Sequence, residues 1–269
     1  MPHHTKISWA GASVSGTRKP CNEDSWIAFS SGLSGAIRLG ESGGSSLDDH
    51  DLVFAVSDGM GGGNAGDMAS GLILERMAAM IPETFKAAAA GFFPDSLEHL
   101  RQAVIEIHGQ INRAADSTED KKGMAATLAL AWFTPENMYL ANIGDSRIYR
   151  SREGLLEQLS KDHTAAWGQW KRGEITEIEF RSHPRRAALY EVVGGGHTGV
   201  NPYFAAADHR SGDRFLVCSD GLIDGLWERH ISDALAGECS PEVIREILLK
   251  RAIDNSGNDD TTLIVIRID

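Results

Sequence analysis

The sequence predicts an α+β fold in which antiparallel sheets are covered by helices. Three observations carry this. Two helical stripes sit together after one buried-strand run, strands then follow in succession, and no regular βαβα alternation appears. The chain has 269 residues, 42% apolar and 24% charged, which is ordinary globular chemistry with enough length for a buried core.

The elements follow in order. Trp26-Ile27-Ala28-Phe29 is an apolar stretch, and Leu52–Val56 is a continuous apolar run that reads as a buried strand. Met68, Leu72, Ile73, Met77 and Met80 fall at helical spacing and read as core contacts. Leu97, Leu100, Val104, Ile107, Ile111 and Ala114 step by 3, 4, 3, 4 and 3 residues, one apolar stripe of a second helix. Further strands are expected at Thr127–Phe133, Met138–Ile143, Arg147–Arg150, Phe215–Cys218 and Leu263–Ile268, rich in β-branched and aromatic residues. The short links Pro135-Glu136-Asn137 and Gly144-Asp145-Ser146 predict hairpins. Pro241 opens a helix over Glu242–Ala252, because a first-turn proline gives up no hydrogen bond.

From Ser30 to Ser46, 11 of 17 residues are Ser or Gly, without apolar periodicity. This predicts a flexible surface loop, an insertion at about 30–49 within a single domain spanning 1–269.

Charge and cysteine content narrow the function. Lys and Arg number 26 against 38 Asp and Glu, a net charge of −12, which disfavours nucleic acid. The N-terminal residues carry no apolar signal segment, and Ala125–Phe133, the longest apolar run, is far short of the roughly 20 residues a membrane span needs. Cys21, Cys218 and Cys239 have no metal-ligand spacing, so a reducing cytoplasm is expected, with Cys218 packed in a core.

The chemistry lies in carboxylates at strand ends. Leu52–Val56 runs into Ser57-Asp58-Gly59-Met60, and Phe215–Cys218 runs into Ser219-Asp220-Gly221-Leu222, the same phrase 162 positions later. Asn22-Glu23-Asp24 precedes one strand, and Asn258-Asp259-Asp260 precedes the last. One Asp-Gly pair alone signals only a turn. Several carboxylates converging at a sheet edge repel one another unless cations sit among them, and hard divalent ions such as Mg²⁺ or Mn²⁺ take oxygen ligands. Asp145 reads as a turn residue capping local amides. Gly61-x-Gly63-x-x-Gly66 also matches a dinucleotide fingerprint, but Asp58 would repel a pyrophosphate and no second strand ending in an acid follows the helix.

Six phrases, in order, carry a resemblance: Asn22-Glu23-Asp24-Ser25, Asp58-Gly59-Met60-Gly61-Gly62, Gly123-Met124-Ala125-Ala126-Thr127, Gly144-Asp145-Ser146-Arg147, Ser219-Asp220-Gly221-Leu222 and Asp259-Asp260-Thr261-Thr262. From about Ile7 to Ile268 the chain resembles the metal-dependent protein phosphatases, the type 2C serine/threonine phosphatases, in their bacterial form. The resemblance implies a four-layer α-β-β-α sandwich. It implies that Asp58 bridges two metal ions, that the Gly59 carbonyl binds one, and that Asp220 and Asp259 complete the other. Glu23 and Asp24 would hold metal-bound waters, and Asp120 with Asp220 would take a third ion. Asp58, Asp220 and Asp259 are thus the candidate catalytic residues. A hydroxide shared by two Mg²⁺ or Mn²⁺ ions would attack the phosphorus of phosphoserine or phosphothreonine.

Departures from the family pattern matter. Where an Arg usually grips the phosphate, strict counting gives Lys19, with Arg18 one residue earlier, and either could supply the charge. Met60 stands where many eukaryotic members carry a general-acid His, and Asp260 stands where an Asn is usual. Ala165–Pro184 corresponds to the family's mobile flap. In or just beyond it lie Trp167, Trp170, Lys171, Arg172, Arg181, His183, Arg185 and Arg186. Between Arg147 and Tyr190 nine Lys/Arg face six Asp/Glu, which suits contact with phosphopeptides or is simply a solvated charged loop. His163 and His183 read as structural.

The resulting expectation is a monomeric cytoplasmic phosphatase, without nucleic-acid or membrane partners, that acts on phosphorylated proteins and opposes a Ser/Thr kinase pathway. The rivals are a phosphatase for a small metabolite or a single anti-sigma-type regulator, and a pseudophosphatase that binds phosphoproteins without hydrolysis.

Overall fold

The computed structural model describes residues 5–48, 50–61, 65–89 and 96–269, with backbone alone for 83–89 and 96. Gly62 and Gly63 of the glycine phrase, and position 49 of the expected insertion, lie outside the described residues. Among the described residues fourteen strands and seven α-helices follow in chain order. They are β1 (Lys6–Val14), β2 (Asp24–Gly32), β3 (Gly35–Arg38), β4 (Ser42–Ser46), β5 (Asp51–Met60), α1 (Ala65–Ala89), α2 (Ser96–Ala115), β6 (Ala125–Ala126), β7 (Leu128–Phe133), β8 (Asn137–Ile143), β9 (Arg147–Arg152), β10 (Leu155–Gln158), α3 (Ala165–Lys171), α4 (Glu177–Arg181), β11 (Val193–Gly194), β12 (Tyr203–Asp208), β13 (Arg214–Cys218), α5 (Asp220–Gly225), α6 (Glu228–Ala236), α7 (Pro241–Ser256) and β14 (Thr261–Ile268).

The strands form two antiparallel sheets. One runs β10-β9-β13-β14-β1-β4; the other runs β11-β6-β5-β7-β8-β12, with β2 on β5 and β3 on β2. Period-two alternation splits each central strand between two cores. Phe54 and Val56 of β5, Phe215 and Val217 of β13, and Ile264 and Ile266 of β14 meet between the sheets. Val53 and Ala55 face Ile73 and Met77 of α1 and Ile107 and Ile111 of α2. Leu216, Cys218, Leu263 and Val265 face Leu222, Ile231, Ile244 and Leu248 of α5, α6 and α7. The α+β, four-layer α-β-β-α sandwich is therefore present, and the continuous hydrophobicity of β5, β13 and β14 follows from being covered on both faces.

Three expectations need correction. The Ser/Gly-rich segment is ordered pairing instead of a flexible loop: β2 extends through Gly32, β3 pairs with β2, and β4 pairs with β1 in the six-stranded sheet. Gly43 lies opposite Trp9, where a Cβ would come within 2.7 Å of the indole, so lack of a side chain is what lets this strand dock. The Gly144-Asp145-Ser146 link is not a hairpin, because β8 pairs with β7 and β12 while β9 pairs with β10 and β13; the link carries the chain from one sheet to the other. Met68 of the first stripe is exposed, whereas Ile73 and Met77 are buried. The Pro135–Asn137 hairpin and the Pro241 helix are as expected. Among the described residues no helix is long and apolar enough to cross a membrane.

Candidate metal centre

The site is built where β2 and β5 of one sheet approach β13, α5 and β14 of the other. Antiparallel register sets Asp24 directly opposite Asp58. Asp220 starts α5, immediately after β13, and Asp259 and Asp260 lie just ahead of β14. The strand-end reading therefore holds for Asp220 but not for Asp58, since β5 continues to Met60 by pairing Gly59 and Met60 with β6.

Backbone packing explains the glycine after Asp58. A Cβ on Gly59 would lie 2.1 Å from the Gly66 carbonyl oxygen and 2.6 Å from that of Glu23. The Gly59 amide donates to the Glu23 carbonyl at 3.1 Å, and the Ser70 hydroxyl donates to the same oxygen at 2.7 Å. The start of α1 is thereby fastened to the Glu23–Asp24 segment.

A hydroxyl network outside the sequence expectations holds the Asp24 carboxylate and the backbone that carries Asp58. Ser219 Oγ donates to Asp24 Oδ2 at 2.7 Å and accepts from the Thr262 amide at 3.0 Å. Thr127 Oγ1 accepts from the Asp58 amide at 2.9 Å and lies 2.7 Å from Ser146 Oγ. Ser57 Oγ donates to the Thr127 carbonyl at 2.7 Å. The signal was available: a Ser precedes both Asp58-Gly59 and Asp220-Gly221.

The electrostatics are those of crowded, desolvated acids. Burial, then the charges of Asp24, Asp220 and Asp145, hold the Asp58 carboxyl well above the ordinary range. Asp220 is raised in the same way by burial and by Asp145, Asp224 and Asp259. Burial pushes Asp24 up to about 6, against the lowering effect of Ser219. Asp24 Oδ1 and Asp220 Oδ1 are buried without a hydrogen-bond partner. Asp145 is corrected here: its side chain does meet its own backbone amide, but it also belongs to the cluster, pushed up to about 7 by burial and the charge of Asp162.

Lys19 supplies the cation. Its Nζ lies 2.9 Å from Asp259 Oδ1, 3.2 Å from Glu23 Oε2 and 3.7 Å from Asp260 Oδ2. Desolvation opposes its charge, but the bond to Asp259 and the charge of Asp58 outweigh it and hold the ammonium above its ordinary range. Arg18 is exposed and reaches the site only by its backbone, whose amide donates to the Asn258 carbonyl at 3.3 Å. Asp260 is buried and accepts from the Gly16 and Glu23 amides, each at 2.8 Å, so it anchors both ends of the segment carrying Lys19. Asp120 sits fully exposed on a 3-10 turn, Glu119–Lys121, where the Thr118 hydroxyl bonds it; nothing there joins it to Asp220.

The basic stretch is mostly neutralised internally. Arg147 is buried against Asp162 at 2.6 Å and lies under the stacked rings of Trp170 and Phe180. Arg150 and Arg152 pair with Glu157, Asp208 and Asp213. Lys171 pairs with Glu228, Arg172 with Glu174 and Arg186 with Asp224. Arg181 donates to the carbonyls of Ile223 and Leu226, closing the end of α5. His163 Nδ1 accepts from the Gly144 amide at 3.0 Å, a structural role as expected, and burial lowers its pKa. Exposed Arg185 has no ion pair among the described residues.

The donor set suits a hard cation. Every candidate ligand is an oxygen, and two buried carboxylate oxygens lack partners. Among the described residues no three His, Cys, Asp or Glu side chains close on a common point tightly enough to hold an ion as they stand. Glu23, Asp259 and Asp260 lie instead around Lys19. The centre thus asks for positive charge, which Lys19 on one side and Arg186 toward Asp220 and Asp145 partly provide.

The model of the protein phosphatase 2C family matches residues 41–241. A serine/threonine phosphatase stp of Listeria welshimeri is 30% identical over 220 residues, 81% of this chain and 85% of that protein. The crystal structure of the Mycobacterium tuberculosis serine/threonine phosphatase PstP/Ppp is 30% identical, superposes with a TM-score of 0.79, and covers 98% of this chain and 99% of its own. A second PstP structure, of the catalytic domain in complex with two manganese ions, is 28% identical with a TM-score of 0.74, covering 98% and 99%. Sequence and architecture thus agree along nearly the whole length of the chain, which belongs to the protein phosphatase 2C family.

Proposed function

We propose that this chain hydrolyses phosphoserine and phosphothreonine on proteins with two Mg²⁺ or Mn²⁺ ions held at the carboxylate centre. Membership of the family makes it a serine/threonine protein phosphatase; the metal-bridged hydroxide, the kinase pathway it opposes and its cytoplasmic setting are the finer reading. The observation that supports it is the convergence of Asp24, Asp58, Asp145, Asp220 and Asp259 from both sheets, with orphaned oxygens on Asp24 and Asp220.

Asp58, the Gly59 carbonyl, Asp220 and Asp259 would hold the ions directly, and Glu23 and Asp24 through water. When bound, such a pair supplies a water acidic enough to attack phosphorus near neutral pH and offsets charge on the phosphoryl oxygens. The chain's own residues do the rest. Ser219 fixes the Asp24 carboxylate with a short hydrogen bond, and Thr127 fixes the backbone of Asp58 by accepting from its amide. Lys19, not exposed Arg18, is the residue whose ammonium stands at the centre and would meet the substrate phosphate once released from the acids. A third ion at Asp120 and Asp220 belongs to the same reading, and the exposure of Asp120 would make it the most weakly held.

The test is a phosphopeptide and phosphoproteome panel assayed with Mn²⁺, Mg²⁺ and excess EDTA. Metal-dependent release of phosphate from Ser and Thr peptides is expected. Full turnover in EDTA would sink the mechanism, and bound metal without turnover on any phosphopeptide would favour the pseudophosphatase.

A further inference from the structure

We propose that Lys19 is a built-in competitor of the metal: its ammonium occupies the carboxylates until divalent ions displace it, and only then is it free to grip the substrate phosphate. The inference rests on the metal-dependent reading above and adds a division of labour within it.

An ammonium carries three N–H donors and no more. Those of Lys19 face Asp259 at 2.9 Å, Glu23 at 3.2 Å and Asp260 at 3.7 Å. Asp259 and Glu23 lie within hydrogen-bond distance and Asp260 at ion-pair distance, so while it is so placed the ammonium is directed at acids and not at a phosphate oxygen. Its partners are not equivalent. Both oxygens of Asp260 already accept backbone amides at 2.8 Å, so Asp260 stays satisfied without Lys19. Asp259 and Glu23 are the acids expected to serve the metal. Exchange therefore concerns those two carboxylates: one positive charge leaves and divalent charge arrives.

The surrounding backbone suits a swing of the side chain alone. Asp260 pins Gly16 and Glu23, on either side of Lys19, while Thr17 and Arg18 donate to the carbonyls of Gly257 and Asn258 at 2.9 and 3.3 Å. The segment is held at four points, and the lysine stem is flexible and partly exposed. A point-like ammonium can insert among three acids and withdraw, whereas a guanidinium is a rigid planar fork. The Lys at this position and the Asp at position 260, both departures from the resemblance, thus act together: one is a retractable cation, the other the anchor that keeps its segment in place.

The test is calorimetric titration of Mn²⁺ into the metal-stripped full chain without phosphate, for wild type, Lys19→Gln and Lys19→Met. Circular dichroism and thermal midpoints are measured alongside. Removing the competing contacts is expected to tighten Mn²⁺ binding roughly ten-fold in both variants. Their metal-free midpoints are expected to fall and to recover with Mn²⁺. Inorganic phosphate, titrated next, should bind wild type only after Mn²⁺ and bind both variants several-fold more weakly. Mn²⁺ affinity that is unchanged within two-fold, or weakened, in both variants would overturn the proposal. A wild type that binds no Mn²⁺ would overturn the metal-dependent reading itself, so the two failures are distinguishable.

Discussion

Asp24 and Asp58 face each other as register partners across β2 and β5. Like charges at directly opposed strand positions oppose pairing, and here both carboxylates are also buried. A fold keeps such a pair only where something else requires it. Asp58→Asn removes one charge and keeps the shape. In the metal-free protein it is expected to raise stability by about 1–2 kcal/mol, the usual size of gain when a strained functional group is relieved. Urea unfolding in EDTA measures this. A clear loss of stability would show that the Asp58 carboxylate serves mainly as a structural acceptor.

Ser219 ties the two sheets at the site, since its hydroxyl serves Asp24 on one side and the Thr262 amide on the other. Ser219→Ala leaves a buried carboxylate oxygen and a buried N–H without that partner. The expected cost is about 1–3 kcal/mol in urea unfolding, together with weaker Mn²⁺ binding because Asp24 is no longer oriented. Unchanged stability and unchanged metal affinity would remove Ser219 from the account.

Asp51, at the opposite end of β5, allows a pH test away from the centre. Burial pushes its carboxyl up to about 6, although Trp132 Nε1 donates to it at 2.8 Å. The folded pKa lies above the unfolded value, so the folded state holds the proton more tightly. That contribution is fully present below about pH 4 and is lost as pH rises through about 6. Asp51→Asn keeps an acceptor for the indole and cannot ionise. It should therefore be more stable than wild type at pH 7.5, by up to about 2–3 kcal/mol, with the advantage gone at pH 4. Equal stability differences at both pH values would contradict the assignment.

What could be read in the sequence follows from where local patterns are decisive. β5 and β13 are legible as continuous apolar runs because both faces are covered, and α2 because Leu100, Val104, Ile107 and Ile111 make one stripe. β4 was hidden because Ser-Gly-Gly-Ser-Ser has no strand propensity of its own; its pairing comes from Trp9 and β1. β12 was hidden by three alanines, and only its pairing with β8 makes it a strand. The link at Gly144 misled because length does not tell which sheet the next strand joins. Gly144 has φ +91°, and a Cβ there would meet Thr127 at 2.5 Å, so a sheet crossing and the hydroxyl network share one tight corner. The acids at the centre were legible from two repeated phrases, but the place of Asp145 among them depends on that crossing. The choice of Lys19 over Arg18 depends on backbone bonds to Gly257 and Asn258, which no spacing rule contains. The local positive excess between Arg147 and Tyr190 was real as a count and misleading as a surface, since most of its cations meet acids or carbonyls within the fold.

The proposed function places the hydrolysis at the carboxylate centre. It is tested most directly by kcat/KM on a phosphothreonine peptide at saturating Mn²⁺ for Asp58→Asn against wild type, with folding verified for both. A loss of at least about a thousand-fold is expected, on the scale of removing a principal electrostatic stabiliser of the transition state. A variant that retains activity within ten-fold of wild type would contradict it.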